Sequence, residues 1–225
     1  MKDNALSKLG GTCSILAGVT ISVAAIVYLL LPPELQESCR CPEKFLASAA
    51  QNPALRIAEY SPIALYSLLA IAAVLAISES VRSANEGWVR WTSTLAIIGL
   101  AMNAIVAFQH VALDPDRAAA YVKGDAAVKA ALTVPGALEG LDPQAWLRYG
   151  AFGLWVLVVS LLALRGGTWP KPLAYLGIGV TIAAWLVVAG EVFQGQSLIG
   201  IIAGVSTILV PIWYIWLGVR LIRAD

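Results

Sequence analysis

The run LGGTCSILAGVTISVAAIVYLLL, residues 9–31, holds 23 residues without a single charge. As a helix rising 1.5 Å per residue it reaches about 35 Å, against roughly 30 Å of bilayer hydrocarbon. Lipid offers the backbone no hydrogen-bond partners, so a spanning segment must satisfy its own N–H and C=O groups, and a helix does so within one segment. The run is too long for a signal-peptide core, and no convincing small-residue cleavage site follows it. It therefore reads as a retained transmembrane helix.

Five further runs outward from it have the same character: residues 62–78, 91–111, 146–164, 173–193 and 198–222. The second is the shortest. It extends back toward Asn52 and Pro53, a capping residue followed by a proline suited to the first helical turn. Composition agrees. Of 225 residues, 59% are hydrophobic and 13% charged, about half the charged share of a soluble domain. Too few polar residues remain to coat a soluble globule. The expected fold is all-α, a polytopic membrane protein with one domain over residues 1–225. Six transmembrane helices carry a small extracytoplasmic helical cap. A net charge of +1 argues against a nucleic-acid partner, which requires a clustered basic surface.

Basic residues set the expected orientation. Lys2, Lys8, Arg82, Arg90, Arg165, Lys171, Arg220 and Arg223 lie in short segments beside span ends, opposed by Asp3, Glu79, Glu86 and Asp225. The loops 32–61 and 112–145 carry more acidic than basic residues. Positive-inside reasoning places both termini in the cytoplasm of a cell whose inner or plasma membrane holds the protein. Trp213, Tyr214 and Trp216 near the inner end of the last span fit an interfacial aromatic belt. In the second long loop, Asp114–Pro115 and Asp142–Pro143 read as two helix starts, each an acidic cap with proline in the first turn. Residues 118–123 and 126–133 are expected to form short helices lying on the outer membrane surface.

Few residues suggest chemistry. Cys39 and Cys41 form a CxC pair just beyond the first span, in a compartment that favours disulfides. They read as structural, bridged to each other or to a partner chain. A thiol–disulfide relay to quinone would need a second exposed pair, and the remaining cysteine, Cys13, sits at the other end of the first span. His110 is the only histidine. It could serve as one axial ligand to a haem or chlorophyll, but a hydrogen-bonded polar cap is the plainer reading, and no zinc set is available. Glu191, at the outer end of the fifth span, shares the expected depth of His110 and could pair with it. Ionisable groups within spans are functional candidates. Asn103 is nearer mid-membrane, where its amide is expected to bond across helices.

Ser14, Gly18 and Ser22 form a small-residue stripe on the first span, and Gly200 and Gly204 a GxxxG on the last. Such stripes let helix backbones approach closely, within one chain or between two. Packing within the chain is the safer reading. Gly18 is the favoured point for association with another chain, since the first span stands at one end of the sequence. Pro211 should bend the last span near Thr207. Walker A, GxSxG, HExxH and Rossmann motifs are missing, and no catalytic residue is assigned.

Read whole, the chain resembles a bacterial family of six-helix membrane proteins, one of the domain-of-unknown-function groups. The resemblance lies in LGGTCSILAG (9–18), NPALRIAEYSPIALYSLLA (52–70), WPKPLAYLGIGV (169–180) and above all the ending PIWYIWLGVRLIR (211–223). It implies the six-helix architecture and supplies no activity and no catalytic residues. The Cys39–Cys41 pair falls outside that pattern. The resulting expectation is a non-enzymatic structural or accessory component of a membrane complex, in contact with lipid and with other membrane subunits. Lipid, quinone or pigment could lie between its helices. Two alternatives stay open: a small transporter or solute-binding protein, and a membrane thiol–disulfide oxidoreductase using Cys39 and Cys41.

Overall fold

The structure, a computed structural model, describes residues 4–36, 42–134, 139–193 and 196–223, with side chains described except at Asn4, Glu139 and 196–204. It is helical throughout, with no strand among the described residues. Among the described residues eight α-helices follow in chain order: α1 (Asn4–Leu30), α2 (Pro42–Gln51), α3 (Pro53–Val81), α4 (Glu86–Lys123), α5 (Ala126–Leu132), α6 (Phe152–Gly166), α7 (Lys171–Val192) and α8 (Gln196–Arg223). A single π-helical turn, Trp146–Ala151, leads into α6. Six of these elements are long and apolar enough to cross a membrane, and α2 and α5 are not. The protein is a multi-pass membrane protein, as its composition requires.

The six long helices form a ring in sequence order. Each packs on the next, α1 on α3, α3 on α4, α4 on α6, α6 on α7 and α7 on α8, and α8 returns to α1. Leu9, Leu16, Val23, Ile26, Leu65, Leu75, Ile98 and Ile105 remain exposed around the outside, a surface that lipid covers. The centre is filled by aromatic side chains. Trp155, Trp213 and Tyr214 are fully buried there beside Tyr66 and Phe152. Trp155 meets Trp213 edge to face at 5.8 Å, an arrangement favoured by the ring quadrupoles.

Burial of Trp213 and Tyr214 corrects their assignment to an interfacial belt. Both project into the ring, and Trp216 is the exposed member of that trio. Trp88 and Trp91, at the start of α4, and Tyr175, early in α7, are the exposed aromatics toward that end. The spacing of three nearby aromatics on α8 could not reveal which side meets the neighbouring helices.

The prolines also behave differently from expectation. α4 runs unbroken through Pro115, so Asp114–Pro115 starts no helix, and residues 118–123 are the last turns of α4 rather than a separate surface helix. A proline inside a helix removes one backbone bond and costs about 3 kcal/mol. The cost is met here by tertiary contacts: Asp114 is tied into a buried charge cluster, and Ala118 is fully buried against the cap. α3, by contrast, begins at Pro53 as the sequence suggested, and it continues through Pro62. Asn52 holds its N-cap position without a side-chain cap bond. Asp142 does cap a helix, but not one starting at Pro143. Its carboxylate accepts from the backbone N–H groups of Leu147 and Arg148 at 3.0–3.2 Å, inside the π-helical turn.

At 38 residues, α4 is about 57 Å long, far more than the hydrocarbon requires. Its final turns carry the cap. α2 lays Leu46 and Ala49 against Ala118 of α4 and against Leu31 and Leu35. α5 starts at an Asp125 cap that accepts from Val128 N–H at 2.9 Å. It folds back along α4, where Arg117 donates to the carbonyls of Leu132 and Val134 at its far end.

Candidate functional site

Beneath the cap, four charged or titratable side chains from two helices converge. α3 contributes Arg56 and Glu59, one turn apart on one face. α4 contributes His110 and Asp114, again one turn apart. Arg56, Glu59 and Asp114 are each at most 3% exposed. A charge is rarely buried so deeply unless it is paired.

Here the pairing is extensive. Arg56 Nε and Nη2 both donate to Asp114 Oδ2, at 3.3 and 3.2 Å. Arg56 Nη1 donates to Glu59 Oε2 and to the Leu35 carbonyl, the latter at 3.4 Å. The guanidinium carbon also lies 4.5 Å from the ring centroids of Phe45 on α2 and Tyr60 on α3. On the other side of Asp114, His110 Nδ1 stands 3.0 Å from the same Oδ2. The imidazole stacks on Tyr60 with centroids 4.1 Å apart. A single arginine thus ties α3 to α4 by charge, to α2 by a cation–π contact, and to the 33–35 turn through a carbonyl. The planar fork of five donors is what allows this, and lysine could not replace it.

His110 was legible in the sequence, but its partner was not. Reading Asp114 as a helix cap separated it from His110, although the pair HxxxD has the i, i+4 spacing of one helical face. The matching RxxE of Arg56 and Glu59 was a similar signal inside the string NPALRIAEY. Elsewhere, Asn103 Nδ2 donates across to Ser67 Oγ of α3 at 2.8 Å. Glu191 lies half-buried near the end of α7, a helix that packs on α6, α8 and the π-helical turn. Cys39 and Cys41 lie outside the described residues, and the surroundings of Gly200 and Gly204 are likewise outside them.

The α1 stripe faces the chain's own last helix. Ser14 Oγ donates to the Tyr214 carbonyl at 2.6 Å. A Cβ on Gly18 would stand 2.6 Å from Ile215 Cγ1 and 3.0 Å from the Pro211 carbonyl. Gly18 therefore offers no free surface to another chain. Ring closure by α8 covers it, which corrects its choice as the point of association. Ser22 is half-buried, and its hydroxyl bonds back to the Gly18 carbonyl at 2.8 Å.

On the lipid side of α4 an apolar groove of about 330 Å³ is lined by Ile98, Ala101, Met102, Ile105, Val106 and Leu141. Among the described residues no three His, Cys, Asp or Glu side chains gather as a metal site.

The chain belongs to the family described as Domain of unknown function (DUF4386), whose model matches residues 16–224. No curated protein and no solved structure matches it.

Proposed function

Taking membership of that family as the premise, we propose that this single six-helix domain is a non-enzymatic component of a membrane assembly, structural or accessory in role. In this reading it sits in a bacterial inner membrane with both termini cytoplasmic and the cap outside. One observation carries the proposal: the most charged site in the bundle is spent on the chain's own architecture. Every nitrogen of the Arg56 guanidinium has an acceptor within its own chain. Ionisable groups in a membrane bundle are functional candidates by default, but a guanidinium bonded through all three nitrogens to its own chain works as a clamp. The aromatic filling of the ring supports the same reading. The groove along α4 suits an acyl chain, so lipid is the expected resident partner.

The test is purification in a mild detergent followed by native mass spectrometry. The proposal expects another membrane subunit to be retained, and expects it to be released by Arg56→Gln, which loosens the cap, while the six helices stay inserted. A wild-type protein that always purifies alone would refute the assembly reading.

The buried cluster also favours a second reading, a small solute-binding or transport protein in which Arg56, Glu59, His110 and Asp114 open to receive an ion or solute. Uptake by proteoliposomes that is abolished by Asp114→Asn, in a variant that still folds, would select this reading over the first.

A further inference from the structure

Hydroxyl groups within the bundle mostly bond back to their own helix. Thr20 reaches the Leu16 carbonyl, Ser67 that of Ile63, and Thr92 that of Trp88. The buried indole of Trp155 is likewise partnered: its Nε1 donates to Ser78 Oγ at 2.9 Å. Ser160 on α6 and Trp213 on α8 differ from these. Each side chain is 0% exposed, and neither Ser160 Oγ nor Trp213 Nε1 has a hydrogen-bond partner among the described residues. In an apolar surrounding each such orphan costs a free energy comparable to a lost hydrogen bond or more.

The two orphans face the same spot. α7 passes them at Gly177, where it presents bare backbone. A Cβ there would overlap Ser160 Oγ and stand 2.8 Å from Trp213 Nε1. The spot is polar on two sides and bordered by a residue with no side chain. We infer that the junction of α6, α7 and α8 at Gly177 is a binding site for one internal water molecule, held between Trp213 Nε1 and Ser160 Oγ. The chemistry fits. Indole N–H is a donor only, a serine hydroxyl donates or accepts, and a water can accept from the first while bonding either way to the second. Buried waters are found where otherwise unsatisfied polar groups converge in this manner. The water gives α8 a bonded link to α6 across α7, parallel to the indole–serine bond that links α6 to α3.

Infrared difference spectra of detergent-purified protein test this. Spectra of wild type minus Ser160→Ala, and of wild type minus Trp213→Phe, are recorded in H2¹⁶O and H2¹⁸O. Both differences should contain the same O–H stretching band, displaced downward by the heavier oxygen. Loss of the water in either variant alone, or the lack of any oxygen-isotope-sensitive band in both, overturns the assignment. A serine–indole bond without water would give a band that ignores the oxygen isotope. Should Trp213→Phe fail to fold, Ser160→Cys takes its place, since a thiol bonds water only weakly and must erase or shift the same band.

Discussion

Removing the positive charge of Arg56 is the sharpest perturbation the fold offers. In an Arg56→Gln protein, Asp114 keeps His110 as its described partner but loses both guanidinium bonds, at a site where it is 3% exposed. Breaking a buried ion pair by removing one member costs about 3–5 kcal/mol, because the remaining charge stays desolvated and uncompensated. At about 1.4 kcal/mol per decade, the unfolding equilibrium should move by two to four orders of magnitude. The loss should be concentrated in the cap, because Phe45 and the Leu35 carbonyl lose their shared contact. SDS titration in mixed micelles would measure the first effect, and amide hydrogen exchange across Pro42–Gln51 the second. Arg56→Lys should recover only part of the loss, since an ammonium grips one acceptor at a time and stacks poorly. The triple change Arg56→Met, Glu59→Gln, Asp114→Asn removes the charges together and should be much milder than Arg56→Gln alone. A cost below about 1 kcal/mol for Arg56→Gln, with unaltered exchange in α2, would refute the view that this cluster clamps the cap.

Gly18→Leu should destabilise the isolated monomer by about 1–3 kcal/mol through overpacking against Ile215 and Pro211. Thermal melting monitored by size-exclusion chromatography will show it, and an unchanged melt would mean α8 does not close the ring. Ser78→Ala should cost about 1–3 kcal/mol by orphaning the fully buried indole N–H of Trp155. Ser78→Thr, which keeps the acceptor, should cost less in the same assay. For orientation, Cys39 in reduced whole cells should react with a membrane-impermeant thiol reagent, and protection of Cys39 together with external access to Lys2 would invert the topology. Replacing Cys39 and Cys41 with serine should lower stability or partner retention while leaving disulfide formation in other proteins intact. Loss of that capacity would promote the oxidoreductase alternative.

The sequence by itself determined the solvent and the six long helices. Runs such as residues 9–31 are apolar over their whole length, and hydropathy sums over neighbours in the chain, so it needs no knowledge of the fold. Its weak points were those where a local rule meets tertiary compensation. Pro115 looked like a helix start because the rule prices a lost backbone bond, and cannot see that Asp114 and Ala118 are held from outside. The identity of the buried site belongs to the tertiary structure alone. Arg56 and Asp114 are 58 residues apart, and in the sequence Arg56 fell within the loop 32–61 while Asp114 read as a helix cap. Only packing of α3 on α4, under a cap carried on turns that outrun the membrane, removes water from both and makes each the condition for burying the other. The same holds for Gly18: a small residue permits close approach, but which helix comes close was settled by α8 returning to α1.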